Sequence, residues 1–197
     1  RSLVGGDRVP VAGTDGAPPI CIAGRDLPET DHTPIRVILG PQDDYFDPDV
    51  IAQFLSSTFQ VSTRVDRMAS VLDGVPLIAA RGHDIISDGT VPGAIQVPGS
   101  GQPLILMADA QTTGGYPKIA TIIGADLRRV AQTPPGHALL FAAVTSEEAE
   151  AALLGCRNRH RAILKSVCMA EFGQPSTARL FGANLISGVW SRETGNE

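Results

Sequence analysis

The chain has 197 residues, 43% of them hydrophobic and 19% charged, with a formal charge of −5; that suffices for one ordinary domain with a buried core and excludes a disordered tail. No apolar run approaches the ~18 residues of a membrane span, and a negative chain with only 5% aromatics makes a poor nucleic-acid platform. The three cysteines, Cys21, Cys156 and Cys168, are odd in number and form no CxxC pair, so neither a disulfide framework nor a metal site is predicted, and a reducing cytoplasm is the expected setting.

Glycine and proline together make about 18% of the chain, against a background near 12%, which points to short strands joined by many turns. Residues 1–34 read as linker and as the end of a subdomain that lies further toward the N-terminus; the start at Arg1-Ser2-Leu3, without methionine, suggests an internal piece of a longer protein. Within them only Ile20-Cys21-Ile22-Ala23 has strand character. Ile35–Leu39 is a predicted strand, stopped by Gly40-Pro41. Asp47-Pro48 reads as an N-cap followed by proline in the first turn, and Val50, Ile51, Phe54 and Leu55 give one apolar face, so a helix is predicted over 48–57. Phe59–Val65 alternates as a strand does.

Val91-Pro92-Gly93 and Val97-Pro98-Gly99 each place proline before glycine, as type II turns require. The apolar runs Leu104–Ala108, Ile119–Ile123 and Leu139–Val144 predict further strands, the whole forming a barrel or sandwich with a few helices. Thr145 and Glu148 form a capping box. Behind it Ala149, Ala152, Leu153, Cys156, His160, Ile163, Leu164 and Val167 mark one face of a long helix, on which Cys156 and His160 are expected to be packed rather than reactive. The basic residues Arg157, Arg159, Arg161 and Lys165 suit a solvated face better than an acidic partner. Leu180–Trp190 is a second apolar segment with no assigned structure.

No phosphate-binding loop, HExxH or GxSxG occurs, and the histidines are scattered. Polar density inside the apolar framework stands out instead. Asp84, Ser87 and Asp88 surround Ile85-Ile86, followed by Gln96, Ser100 and Gln102. Then Asp109, Gln111, Thr112, Thr113, Tyr116 and Lys118 gather around Gly114-Gly115. A glycine pair lets backbone approach a ligand closely; Lys118 suits a carboxylate or phosphate, and Asp109 with Gln111 suits an amide. A polar hairpin that caps its own backbone fits these residues equally well. Asp66-Arg67 reads as a structural ion pair before a substrate clamp.

Several blocks in order carry a family resemblance: Leu39-Gly40-Pro41-Gln42-Asp43-Asp44-Tyr45-Phe46, Val65-Asp66-Arg67-Met68, Ile85-Ile86-Ser87-Asp88-Gly89, Pro92-Gly93-Ala94-Ile95-Gln96-Val97-Pro98, Gly99-Ser100-Gly101-Gln102-Pro103 and Gln111-Thr112-Thr113-Gly114-Gly115-Tyr116-Pro117-Lys118-Ile119-Ala120. The chain resembles the allophanate hydrolase subunit 2 family, also called the KipA or biotin-dependent carboxyltransferase family. That family includes the C-type subunit of the ATP-dependent 5-oxoprolinase and the carboxyltransferase region of urea amidolyase. The resemblance covers roughly residues 1–144, as the family's C-terminal half, with Arg1–Asp7 resembling the junction between the halves. The family usually has Gly-Tyr where this chain has Ala69-Ser70, and commonly an arginine where Ala110 stands.

The resemblance implies a mainly β (α+β) fold: a cyclophilin-like barrel over 35–144 and a helical tail over 145–197. It implies Asp109, Tyr116 and Lys118 as catalytic candidates. The substrate-binding set would be Asp66, Arg67, Asp88, Gln96, Ser100, Gln102, Gln111, Thr112, Thr113, Gly114 and Gly115. The implied partners are a subunit 1 (KipI-like) homologue, with room for a third subunit, and a small amide substrate; neither nucleic acid nor membrane is expected. The favoured activity is ATP-dependent opening of 5-oxoproline to glutamate, ATP being handled through the complex and the isolated piece being inactive. One alternative is biotin-dependent carboxylation of urea or a related amide, with biotin on another chain or domain, since no Met-Lys-Met-like carrier hairpin occurs here. Another is a non-catalytic antagonist of a histidine-kinase inhibitor.

Overall fold

Alternating or continuous runs of Val, Ile and Phe separated by glycine and proline leave the backbone few options but short strands, and the computed structural model, which describes residues 20–22 and 33–169, bears this out. In chain order the elements are β1 (Ile20–Ile22), β2 (Ile35–Leu39), a 3-10 turn (Asp43–Tyr45), α1 (Pro48–Ser56), β3 (Phe59–Val65), β4 (Ala69–Asp73), β5 (Asp88–Gly89), β6 (Ala94–Gln96), β7 (Leu104–Leu106), β8 (Thr113–Gly114), β9 (Lys118–Ile122), α2 (Leu127–Ala131), β10 (Ala138–Leu139), β11 (Phe141–Ala143), α3 (Ser146–Ser166) and β12 (Val167–Met169). The Arg1–Asp7 junction and the Leu180–Trp190 segment lie outside the described residues.

The described residues fall into two units. In one, β1 pairs antiparallel with β12, Cys21 opposite Cys168. The other holds an eight-stranded sheet in the order β10-β3-β4-β7-β6-β9-β2-β11. Its two outer strands, β10 and β11, are neighbours in the chain, separated only by Leu140. β10 pairs antiparallel with β3 and β11 parallel with β2, so one bent segment brings the two edges of the sheet together into a nearly closed barrel. The predicted single strand over 139–144 is thus two strands with a bend, because it serves both edges.

The core follows from the same alternation. Phe54 of α1 stacks on Phe141 at 4.8 Å between centroids, and Phe59 leans on both, at 6.0 and 5.9 Å. Around these rings Val37, Leu72, Leu77, Ile95, Ile105 and Ile119 are buried. The buried Asp126 carboxylate is anchored at the edge of this framework. Arg36 on β2 donates its backbone N–H and Nε to Asp126 Oδ2 (3.0 and 2.9 Å) and its Nη2 to Oδ1 (2.7 Å). Burial pushes the Asp126 carboxyl up, but the Arg36 hydrogen bonds and the charges of Arg36 and Arg129 outweigh it, holding the group below its ordinary value.

Several local expectations need correction. Pro92-Gly93 is the expected turn, with Gly93 at φ +92° and Ala94 N–H donating to Val91 O (3.1 Å). The second proline-glycine turn is shifted: Gly101 N–H donates to Pro98 O (2.8 Å), and the left-handed residue is Gly101, not Gly99. Helix α3 ends at Ser166, and Val167, expected on its apolar face, begins β12. No residue from 146 to 165 is buried, and His160 is exposed rather than packed, so the apolar periodicity of α3 does not report a covered face among the described residues.

Candidate active site

Antiparallel pairing of β6 with β9 would place Gln96 opposite Ile119. A β-bulge shifts the register by one residue between Ile95↔Ala120 and Gln96↔Lys118. Because side chains alternate across a strand, that single extra residue sets the Lys118 side chain beside Gln96. Both are buried, Gln96 at 0% and Lys118 at 2% exposure. The Lys118 ammonium donates to Asp88 Oδ2 (2.7 Å) and to Gly89 O (3.2 Å), both on β5. Gln42, in the turn after β2, ties the pair together. Its Oε1 accepts the Lys118 backbone N–H (3.2 Å) and its Nε2 donates to the same Asp88 Oδ2 (3.1 Å). The Lys118 side-chain hydrogen bond, then that of Gln42, then the Gly89 backbone and the Lys118 charge hold the Asp88 carboxyl below its ordinary value.

Gln96 is different in kind. Neither its Oε1 nor its Nε2 has a hydrogen-bond partner among the described residues, although both are buried. Gly114 lies directly against it: a Cβ there would collide with Gln96 Nε2 and stand 3.0 Å from Thr90 Cγ2. A larger residue at 114 would therefore have to push the Gln96 amide aside, and glycine lets the ribbon lie directly on it. The ribbon formed by β5 and β8 continues outward through Ile85 N–H to Gly115 O (2.8 Å) and Thr90 N–H to Thr112 O (3.0 Å), with Thr90 Oγ1 also donating to Gln111 O.

The structure thus brings together Asp88, Gln96, Gly114 and Lys118, with Thr112, Thr113, Gly115 and Gln111 in the adjoining ribbon, while Tyr116 is exposed. It separates the rest. Asp109 lies beyond the far end of β7 from Leu104, the residue opposite Gln96, and is held there by Arg67, whose Nε approaches Asp109 Oδ2 at 2.7 Å and whose Nη2 donates to Oδ1 (3.2 Å). Arg67 is therefore paired with Asp109 and not with Asp66. Asp66 Oδ1 accepts the backbone N–H groups of Met68 and Ala69 (2.8 Å each), closing the β3–β4 turn. Gln102 belongs to a surface cluster, accepting from Arg64 Nη2 (2.7 Å) and donating to Asp73 Oδ1 (3.3 Å), while Ser100 Oγ accepts its backbone N–H (3.4 Å). Sequence reasoning misses Gln42 and Thr90 as site residues. The one signal for Gln42 is its place in the Gly40-Pro41-Gln42 block; nothing local marks Thr90. Among the described residues no group of three or more His, Cys, Asp or Glu side chains is placed to hold a metal, and no helix is long and apolar enough to cross a membrane.

The nearly closed, mainly β barrel with few helices places the chain in the cyclophilin-like class. Its family is narrower: residues 1–143 match the carboxyltransferase domain, subdomain A and B, and the chain belongs to that family. It is 44% identical over 115 residues to the C-type subunit of 5-oxoprolinase from Escherichia coli K12, covering 58% of this chain and 37% of that protein. It is 50% identical over 84 residues to the same subunit from Haemophilus influenzae, covering 43% and 27%. The crystal structure of Kluyveromyces lactis urea amidolyase is similar at 25% identity and a TM-score of 0.57, covering 64% of this chain and 8% of that one. The chain thus spans about a third of the length of the curated relatives it matches.

Proposed function

We propose that the protein is a subunit of an ATP-dependent complex of the 5-oxoprolinase type, which opens 5-oxoproline to glutamate, and that the Lys118 cluster is its substrate site. The observation that carries this reading is the identity to the C-type 5-oxoprolinase subunits of two bacteria, over a segment whose one described buried ammonium stands beside an unpartnered amide. Lys118 would hold the substrate carboxylate, in a setting where water is scarce and the charge–charge attraction is correspondingly strong. Gly114 keeps a side chain from pressing on the Gln96 amide, and Tyr116 is exposed two residues before Lys118 in the chain. The cluster does not suit a triphosphate, since it offers a single described ammonium to a ligand carrying several negative charges. ATP is therefore assigned to another chain or domain of the complex, which would include a KipI-like subunit 1 homologue. Asp109, with Arg67 and Asp66, forms a separate cluster at the other end of the strands.

A second reading is favoured by the family itself and by the likeness to urea amidolyase: carboxyl transfer to urea or a related amide, with biotin carried elsewhere. The test is ATP-dependent glutamate release from 5-oxoproline by the full-length protein reconstituted with its neighbouring subunits. Lys118→Ala is expected to lower turnover about 100-fold, the usual scale for losing one electrostatic contact to the reacting molecule. The Arg67–Asp109 pair is exposed and worth under about 1 kcal/mol of stability. Loss of turnover in Asp109→Ala would therefore bring that second cluster into the mechanism. Carboxylation of urea in place of glutamate release would move the assignment to carboxyl transfer.

A further inference from the structure

The ribbon formed by β5 and β8 stands outside the eight-stranded sheet, and none of residues 81–92 is buried; Ile86 is 94% exposed. What binds the ribbon to the barrel is polar: Lys118 Nζ to Asp88 and Gly89, and Gln42 Nε2 to Asp88. Beneath it lies the buried Gln96 amide, without partners among the described residues. An unpartnered buried amide destabilises the fold, and an apolar side chain of the same size would not. Gln96 is therefore costly unless the amide is used.

Its chemistry defines what it would be used for. A primary amide presents one donor and one acceptor side by side, so its complement presents an acceptor and a donor on one edge. A trans peptide points its N–H and C=O in opposite directions and cannot do this. A cis-amide, as in a lactam ring or in urea, can. Beside Gln96, the Lys118 ammonium calls for an anion, and Asp88 occupies that position in this structure.

We propose that the β5–β8 ribbon is a lid over a recognition site for a compact lactam acid, in which Gln96 reads the cis-amide and Lys118 takes the ligand carboxylate in exchange for Asp88. The inference rests on the reading that the Lys118 cluster is the substrate site. The lid opens when the ligand carboxylate competes with Asp88 for the ammonium. Urea satisfies Gln96 but leaves Lys118 on Asp88, so it binds more weakly than a lactam acid.

The experiment is equilibrium binding to the full-length protein, without ATP, of 5-oxoproline, 2-pyrrolidone, urea and cyclopentanecarboxylate. Wild-type protein is expected to prefer 5-oxoproline over the other three. Gln96→Met should weaken 5-oxoproline and 2-pyrrolidone by about tenfold or more, the loss of two hydrogen bonds, leave cyclopentanecarboxylate unchanged and raise the melting temperature. Asp88→Asn should tighten both carboxylates several-fold and speed amide exchange in residues 85–90 and 112–115. Equal weakening of all ligands by Gln96→Met, no weakening, or no gain in Asp88→Asn overturns the proposal. Glutamate release that persists while Gln96→Met leaves binding untouched overturns the lid and its amide reader but keeps the 5-oxoprolinase reading. The expected binding pattern without any glutamate release does the reverse.

Discussion

Lys118 gives up its hydration on folding, and Asp88 is the group that compensates it. The carboxylate is half exposed while the ammonium is not, so the pair joins a buried charge to a wet one. The consequence for pH has a definite sign. The folded-state value of Asp88 lies below its ordinary 3.8, so the stabilisation it supplies is fully present above the unfolded value and disappears as pH falls through the folded one. The lid contact is thus expected to persist at neutral and mildly acidic pH. An NMR titration of the Asp88 side chain should show a midpoint below 3.8, moving back up in Lys118→Met. A wild-type midpoint at or above the ordinary value would contradict the contact. At this scale the sequence is informative about residue types only. Lys118 and Gln96 stand out as polar groups near glycines, but their grouping depends on one bulge between β6 and β9, which no local pattern announces.

Elements are legible where they carry a consistent apolar period: β2 is read from the sequence, while β4, of the same five residues but with the less apolar run Ala69-Ser70-Val71-Leu72-Asp73, is not. The spans of β2, α1 and β3 follow from five to nine residues of consistent pattern, and the capping box is formed as its spacing requires. Thr145 N–H donates to Glu148 Oε2 (2.8 Å), and Glu148 N–H donates to Thr145 Oγ1 (3.2 Å). Thr145→Ala is expected to cost about 1 kcal/mol of helix stability, seen as faster amide exchange in the first turn of α3. Unchanged exchange there would show that the box contributes nothing. By contrast β5, β6, β8 and β10 are two or three residues each. Strands that short carry no period to read and exist because a neighbour pairs with them. Helix α3 shows the opposite failure: its apolar stripe is clear in sequence, yet Leu153 and Leu164 on it are exposed, because a period says which residues share a face and not what covers it.

For the whole molecule, stability concentrates where the barrel is brought to closure. Phe54 from α1 and Phe141 from β11 stack beside the bend at Leu140, so the rings join the helix to the segment that links both sheet edges. Phe54→Ala is expected to destabilise the fold by about 3 to 5 kcal/mol through lost burial and a residual cavity, measured by denaturant unfolding. A loss near zero would mean that the rings are not part of the cooperative core.

By itself the sequence determined the class of fold, several of the longer elements (β2, α1, β3 and α3, but neither β4 nor α2) and the chemical vocabulary of the site, because these depend on residue type and on spacing along one segment. Its blocks of motif also pointed to the family that residues 1–143 match. Only the tertiary structure decided which charges meet. Arg67 turns from its neighbour Asp66 to Asp109, forty-two positions away. Lys118 turns from the Asp109 end of its own loop to Asp88, thirty positions away, and Gln42 reaches the same carboxylate across forty-six. Such pairings are set by strand order and register, which arise from packing all eight strands at once, and by a bulge whose effect is to change which side chains share a face.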